Sequence, residues 1–388
     1  MVAAAAGAPR RIRSGSIWTT LVVAASLATA VLLAGCAGSP KPKPQPLEVL
    51  TPQIALEKLW SQRTGSVNFP LAVAVSRGVF IVAGSDGTVL ALDAASGHEI
   101  WRASAGAKIS AGVGSDGRFS SVVTTANELV TFEQGQVKWS KALGTRVVTA
   151  PLVAGERVFV LGVDRSVQAF DALDGHPIWV LRRPGDPLTL AQAGVLTAFD
   201  DTLIVGQGPR LAGVDPSRGS VRWEVAVGTP RGANEIERLA DLVGPAARVG
   251  NLFCVRSFQA AVGCVDAARG ALVWSNNVGG TEGVAADAQY VFGADASDRL
   301  SAWKMASGDT AWTSDTLKYR GLGAPLSVGT SVVFGDSDGT LHWLARDTGA
   351  PQLRVPTDGS AIAAAPVVSG STLLVVTRNG GLFAYRTP

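Results

Sequence analysis

An all-β fold, and within that class an eight-bladed β-propeller, is predicted by three observations on the sequence. The 388 residues include 45 glycines and only 17% charged residues, a balance typical of short strands joined by tight turns. A Gly-x-x-x-Trp element recurs about every 40 residues, which indicates a repeated structural unit. The last residues, 379–388, supply a turn and a strand but not the tryptophan strand that follows in each earlier unit.

The clearest repeat unit covers residues 85–101, SDGTVLALDAASGHEIW. An Asp-Gly turn precedes an alternating apolar strand, and a Ser-Gly turn precedes a strand that ends in tryptophan, so a unit of this length has room for four short strands. The final position is occupied by Trp60, Trp101, Trp139, Trp179, Trp223, Trp274 and Trp312, with Leu353 as a degenerate copy. We expect each tryptophan to pack between neighbouring blades and to donate its indole N–H to a backbone carbonyl.

The first tryptophan of the series predicts how the ring closes. Trp60 precedes Trp101 by 41 residues, whereas the chain ends without a tryptophan strand of its own. We therefore expect the N-terminal strand to complete the last blade, which removes an exposed sheet edge. The alternative is a seven-bladed ring, if Trp60 lies outside the blades.

The N-terminus has the order of an export signal. Arg10, Arg11 and Arg13 precede an uncharged apolar run, residues 17–33, and the run ends in VLLAGC at residues 31–36. This segment resembles a bacterial lipobox, which implies cleavage after residue 35 and lipidation of Cys36; a retained membrane span is the alternative. A proline-rich tether follows, so the expected divisions are a signal peptide (1–35), a lipidated cysteine and tether (36–50) and the propeller (51–388). Alanine directly after the cysteine resembles the pattern sorted to the outer membrane.

Charge and motif content argue against several function classes. The net charge of +3 equals the three signal arginines, so the mature chain is formally neutral and lacks the basic face of a nucleic-acid partner. The three histidines, His98, His176 and His342, do not form a zinc-ligand pattern. An aspartate four residues before the turn glycine recurs at Asp93, Asp171, Asp215 and Asp266, which indicates turn capping and not a catalytic acid. We expect no metal and no cofactor.

The Gly-x-x-x-Trp repeat resembles the tryptophan-docked blades of quinoprotein dehydrogenases, which bind pyrroloquinoline quinone. That resemblance makes an oxidoreductase one function hypothesis. However, the chain has no adjacent cysteines to match the vicinal disulfide of that family, and no acid and amide set that would hold its calcium ion.

A second resemblance covers nearly the whole mature chain. The lipobox, EIERLADL (235–242), GDSDGTLHW (335–343) and LRRPGDP (181–187) resemble the BamB family of outer-membrane assembly lipoproteins, non-catalytic propellers related to the quinoproteins. The resemblance implies a scaffold that binds the periplasmic domains of the barrel-forming subunit. The family's partner-binding positions carry over to Leu181, Arg182 and Asp241, whereas Val243 stands where the family has a second aspartate. A generic lipid-anchored binding propeller is a third hypothesis.

The spacing of the repeat also indicates the region that contains Leu181, Arg182 and Asp241. Successive tryptophan-slot distances are 41, 38, 40, 44, 51, 38 and 41 residues, so the two long ones lie in adjacent blades, and the longest contains GTPRGANEIERLADLVGP (228–245). Ile236, Leu239 and Val243 would form one apolar stripe if this insert were a short helix. The expected docking surface lies here; the alternative is a loop that packs onto the propeller.

Cys254 and Cys264 flank two strands joined by a tight turn. Antiparallel pairing would bring them within disulfide reach, and an oxidising periplasm permits the bond. Two buried free thiols are the alternative.

Overall fold

The computed structural model describes residues 1–5, 7–8, 42–183, 190–230 and 232–387. The chain divides into two units, Met1–Lys43 and Pro44–Pro388. The predicted signal run and Cys36 lie outside the described residues. Among the residues that are described, no helix is long and apolar enough to span a bilayer. In the second unit the described residues form strands, turns and connections with no helix.

The strands form eight four-stranded antiparallel sheets, which are the blades of the ring. The chain enters through β1 (Lys58–Arg63). Blade 1 comprises β2 (Ala74–Ser76), β3 (Val79–Ala83), β4 (Thr88–Asp93) and β5 (Glu99–Ser104). Blade 2 comprises β6 (Ile109–Ser115), β7 (Phe119–Thr124), β8 (Glu128–Glu133) and β9 (Gln136–Ala142). Blade 3 comprises β10 (Leu152–Ala154), β11 (Arg157–Leu161), β12 (Val167–Asp171) and β13 (Pro177–Leu181). Blade 4 comprises β14 (Leu196–Phe199), β15 (Thr202–Gln207), β16 (Arg210–Val214) and β17 (Val221–Ala226).

The remaining blades repeat this order. Blade 5 comprises β18 (Leu242–Val249), β19 (Leu252–Ser257), β20 (Ala261–Asp266) and β21 (Ala271–Asn276). Blade 6 comprises β22 (Ala285–Ala286), β23 (Tyr290–Ala294), β24 (Leu300–Lys304) and β25 (Thr310–Ser314). Blade 7 comprises β26 (Leu326–Val328), β27 (Ser331–Gly335), β28 (Thr340–Ala345) and β29 (Pro351–Pro356). Blade 8 comprises β30 (Val367–Ser369), β31 (Thr372–Val376), β32 (Gly381–Arg386) and the N-terminal β1.

The N-terminal strand closes the ring, as predicted. β1 pairs antiparallel with β32, with Trp60 opposite Ala384 and Arg63 opposite Gly381. Blade 8 therefore takes its outermost strand from the beginning of the chain and its three inner strands from the end. The eight-bladed propeller is confirmed, and the seven-bladed alternative is wrong.

Burial follows the position of a strand within its blade. The second strand of blade 2, β7, is buried along its whole length because it lies between neighbouring blades on both faces. The outermost strands alternate or face solvent, as in β5, where Ile100 is 53% exposed. The hydrophobic core therefore forms layers between the middle strands of successive blades.

The repeated tryptophans join one blade to the next. Trp60 donates its indole N–H to Ala94 O of blade 1 at 3.0 Å, and four others make the equivalent bond to the following blade: Trp139 to Ala172, Trp179 to Pro216, Trp274 to Met305 and Trp312 to Arg346. The glycine of each repeat lies beneath the tryptophan of the preceding blade: a Cβ on Gly97 would lie 2.4 Å from the Trp60 ring. Within the described residues, the indole N–H groups of Trp101 and Trp223 make no such bond.

Each blade has two ends. The first two strands of a blade are joined at one end, and so are the last two; we call this side of the ring the turn face. The second and third strands, and successive blades, are joined at the opposite end, which we call the connection face. The two enlarged segments, between β13 and β14 and between β17 and β18, are connections between blades and belong to the connection face.

The chain before β1 lies along blade 7. Gln45 N donates to Lys318 O at 2.9 Å, and Gln53 N donates to Gln352 O at 2.8 Å. Leu47 packs against the cluster that contains Trp312, and Ile54 packs against the one that contains Trp343. Part of the predicted tether is therefore held against the propeller.

Candidate functional site

The first enlarged connection contacts the end of the insert, where β18 begins, on the connection face. Gly194, in the first, forms a bridge with Val243, and Gly244 N donates to Ala193 O at 2.9 Å. Residues 184–189 and 231 lie outside the described part of these connections. The structure thus brings together the segments that the repeat spacing singled out.

The first connection begins with one packed and one exposed side chain. Leu181 is half-buried at the end of β13, opposite Val167, and packs in a cluster with Phe159. Arg182 is exposed, and its guanidinium makes no hydrogen bond or ion pair within the described part of the chain. The next residue, Arg183, is held instead: it donates to Gln207 Oε1 at 3.0 Å and to Glu224 Oε2 at 2.8 Å. Arg182 is therefore the cation available to a partner at this edge.

The insert forms one capped turn, not the amphipathic helix considered from the sequence. Asn234 Oδ1 accepts from Glu237 N at 2.9 Å, while Glu237 Oε2 accepts from Ala233 N at 2.8 Å, a reciprocal capping arrangement. Arg238 N donates to Asn234 O at 3.2 Å, and the chain then straightens into β18 at Leu242. Because the turn ends so early, the expected apolar stripe does not form.

The apolar residues of the insert have different environments. Ile236 projects from the capped turn and is 72% exposed. Leu239 is half-buried, and Val243 is 1% exposed within β18, opposite Arg256. The prediction that Val243 contacts a partner is therefore corrected, because strand pairing buries its side chain. The sequence predicted Ile236 in one stripe with Leu239 and Val243, but of the three only Ile236 is largely exposed.

Asp241 is engaged within the protein. Its Oδ1 accepts from Arg165 Nε and Nη2, each at 3.0 Å, and the two side chains are only 15% and 18% exposed. Arg165 belongs to the turn between β11 and β12 of blade 3. The ion pair therefore links the end of the second connection, just before blade 5, to blade 3. The sequence did not indicate this pair, because its members are 76 residues apart. Asp241 thus holds the surface in place and is not its exposed acid.

A central channel opens on the same face. A cavity of about 720 Å³ is lined by residues from five of the inter-blade connections, from β18 and from turns within blades 6 and 8, and its charged groups are Glu282, Asp298 and Arg378. Asp298 accepts from Gly321 N at 2.7 Å, and Arg378 donates to Val67 O at 3.1 Å. Burial raises the pKa of Glu282 to about 7, although Arg378 and Arg256 oppose the shift.

The GDSDGTLHW segment forms a buried polar cluster in blade 7. Asp336 Oδ2 lies 2.9 Å from both His342 Nε2 and Arg320 Nε, and all three residues are buried. Burial alone would raise the pKa of Asp336, but hydrogen bonds from His342, Thr340 N and Arg320 outweigh it and hold this pKa below its ordinary value. Within the described ranges, no group of acids, cysteines and histidines could hold a metal ion.

Cys254 and Cys264 are joined by a disulfide in the structure. They are directly paired residues of β19 and β20, both fully buried, with Cα atoms 4.0 Å apart. Their neighbours include Trp274 and Met305, so the bond lies in the core of blades 5 and 6 and not on the connection face.

Comparisons with known proteins agree with this architecture. Residues 85–314 match the sequence model of a family described as outer membrane protein assembly factor BamB. Curated proteins of that name from Burkholderia pseudomallei and Bordetella pertussis are 35% and 33% identical, over 93% and 97% of this chain and 97% and 99% of their own lengths.

Solved structures show the same fold. The crystal structure of BamB from Moraxella catarrhalis has a TM-score of 0.78 at 23% identity and covers 86% of this chain and 100% of that one. Quinohemoprotein alcohol dehydrogenase from Comamonas testosteroni has a TM-score of 0.64 at 16% identity, over 85% of this chain and 76% of the dehydrogenase. The likeness to the dehydrogenase concerns the fold alone, whereas the curated relatives are named as assembly factors and not as enzymes. The chain belongs to the outer membrane protein assembly factor BamB family.

Proposed function

We propose that this protein is a lipid-anchored periplasmic scaffold of the outer-membrane β-barrel assembly machinery. In this role it binds the periplasmic domains of the barrel-forming subunit and assists the insertion of outer-membrane proteins. The relatives' names support a part in outer-membrane protein assembly. The lipobox-like segment supports an anchor at Cys36 on the periplasmic side of the outer membrane.

The observation that carries the docking proposal is that the two enlarged connections of one face expose an unpaired cation and an apolar side chain. Arg182 has no partner among the described residues, and Ile236 is 72% exposed on the adjoining connection. Arginine forms bidentate bonds to carboxylates, and an aliphatic side chain buried at the centre of an interface supplies much of its affinity. We define the docking surface as Leu181, Arg182, Ile236 and the Arg165–Asp241 ion pair.

The members of the docking surface have two roles. Arg182 and Ile236 contact the partner, while Leu181 and the ion pair hold the two connections in register. The capping bonds of Asn234 and Glu237 fix the turn that carries Ile236. Because this turn is already ordered, little conformational entropy is lost when the partner binds.

The test measures affinity of the purified protein for the periplasmic domains of the barrel-forming subunit. We expect Arg182→Ala combined with Leu181→Ala, and separately Ile236→Asn, to weaken binding by about tenfold or more, the loss typical of an interface anchor. Arg218→Ala is the matched control, because Arg218 is also exposed but lies on the turn face of blade 4. Circular dichroism checks that each variant is folded. Undiminished binding of both docking variants would remove this surface from consideration.

A further inference from the structure

The junction between blades 1 and 2 lacks the tryptophan hydrogen bond that five other junctions have. Its tryptophan, Trp101, belongs to the blade-docking series but donates no hydrogen bond to the following blade within the described residues. In five other junctions the acceptor is a carbonyl at the beginning of the turn between the last two strands, such as Ala94 O or Ala172 O. That turn has only two residues in blade 2, Gln134 and Gly135, against four to six in blades 1 and 3–7. The shortened turn leaves the indole N–H without its usual acceptor.

A cavity occupies the space beside this short turn. Its volume is about 510 Å³, and it opens on the turn face between blades 1 and 2. Val79, Ile81, Ile100 and Trp101 form an apolar wall, and Ile100 is 53% exposed. We call this cavity the blade 1–2 groove. Its volume is within the range of small ligand sites, and it would hold two or three side chains.

Two arginines line the mouth of the blade 1–2 groove. They are Arg77 and Arg118, on the turns between the first two strands of their blades. These turns are equivalent in all eight blades, yet a basic residue occurs only in blades 1 and 2, whereas blades 3, 4 and 6 have acids there. The blade 2 turn also contains Asp116, whose Oδ1 accepts from Arg118 N and Phe119 N at 2.8 Å. A Cβ on Gly117 would lie 2.6 Å from Ser76 Oγ and 3.8 Å from Arg77 Cδ, so the two turns approach closely. The positive charge is a local feature of this junction.

The arginines retain unused donors. The guanidinium of Arg77 makes no ion pair or hydrogen bond to any described residue. Arg118 donates to Glu133 Oε1 at 2.8 Å through Nε alone, and Lys138 holds the other oxygen of that carboxylate at 2.9 Å. The terminal nitrogens of Arg118 therefore remain available to a second acid. They lie beside an apolar wall, and none of the described residues that line the groove is an acid.

We propose that the blade 1–2 groove binds an extended acidic peptide segment, in which a carboxylate lies two residues from an apolar side chain. In an extended chain, residues i and i+2 project to the same side, so such a segment presents its acid to Arg77 and Arg118 and its apolar group to Ile100 and Trp101. The groove is on the turn face, whereas the docking surface is on the connection face. The protein can therefore hold this segment and the docking partner at the same time.

The experiment uses fluorescein-labelled peptides and the full-length protein in detergent. The probe is Ser-Asp-Ser-Leu-Ser-Asp-Ser; the comparison peptides replace aspartate with lysine, or leucine with serine. We expect the probe to bind more tightly than either comparison peptide. Arg77→Asn should weaken its binding about tenfold, because a charged hydrogen-bonding pair is lost. Asparagine suits this position, where the backbone φ is +48°.

Matched variants separate the groove from general charge and from the docking surface. Arg218→Asn removes an exposed arginine from the same face in blade 4 and should leave peptide binding unchanged. Ile100→Ser should abolish the preference for leucine over serine in the peptide. Affinity for the barrel-forming subunit should be unaffected by Arg77→Asn, so this proposal and the docking proposal fail independently. Equal binding of the lysine peptide, or equal effects of Arg77→Asn and Arg218→Asn, would overturn the assignment.

Discussion

Glu282 in the central channel makes the stability of the propeller depend on pH. The unfolded carboxyl has a pKa of 4.5, and burial raises the folded value to about 7. A raised pKa means that the folded protein holds a proton that the unfolded chain has already released. Stability is therefore unaffected below pH 4.5, decreases between pH 4.5 and 7, and stays reduced at higher pH. The difference between the folded and unfolded pKa of Glu282 corresponds to a loss of about 3 kcal/mol in the free energy of unfolding. Water in the channel screens the charge and reduces this loss to about 2 kcal/mol.

The substitution Glu282→Gln removes this charge while keeping the size of the side chain. At pH 8 we expect the variant to be more stable than the native protein by about 2 kcal/mol, and at pH 4.5 we expect the two to be equal. The measurement is urea unfolding followed by tryptophan fluorescence at half-unit steps of pH. Glu156→Gln, on an exposed turn of blade 3, is the control and should show no such dependence. A gain from Glu282→Gln that is the same at pH 4.5 and pH 8 would refute the reasoning, because it would not arise from ionisation.

Two further predictions concern packing and the disulfide. Gly97→Ala should destabilise the protein by about 2–4 kcal/mol, because its φ is +69° and the added Cβ would meet the Trp60 ring. The control Gly78→Ala has a similar φ of +80° but no atom within 4 Å of the added Cβ, so it should cost only about 1–2 kcal/mol. Thermal or urea unfolding measures both losses. Equal losses would show that contact with the tryptophan is unimportant. Replacing Cys254 and Cys264 together with alanine should cost about 2–4 kcal/mol, because a loop closed by residues ten apart gains freedom in the unfolded chain. Mass spectrometry of the native protein with and without reductant checks the bond, and an unchanged mass would contradict it.

The architecture could be predicted from the sequence because the repeat is a packing rule. A glycine that fits beneath a tryptophan recurs in nearly every unit, so the number of units predicts the number of blades. Trp60 was informative for the same reason. It lies in a tryptophan strand that precedes the first complete unit, and the last unit of the chain lacks a tryptophan strand, so the two complete one blade. Enlarged spacings likewise identified the connections between blades 3, 4 and 5.

The details of the docking surface depend on long-range contacts that no local pattern carries. Asp241 pairs with Arg165, which is distant in sequence, so its engagement inside the protein could not be read from the insert. Val243 is buried because it belongs to β18, which begins at Leu242. The shortened turn at Gln134 could not be read from the spacing, because the same 38 residues separate Trp274 from Trp312, where the turn has five residues.

The pairing of β1 with β32 also determines when this protein is able to finish folding. Lys58 at the start of the propeller pairs with Tyr385 almost at its end. During synthesis, β1 therefore has no strand partner until residues 381–386 have been made. A product truncated before β32 keeps β1 but lacks the strand that pairs with it, so its ring stays open. Closure of the propeller thus requires that the chain has been made through β32.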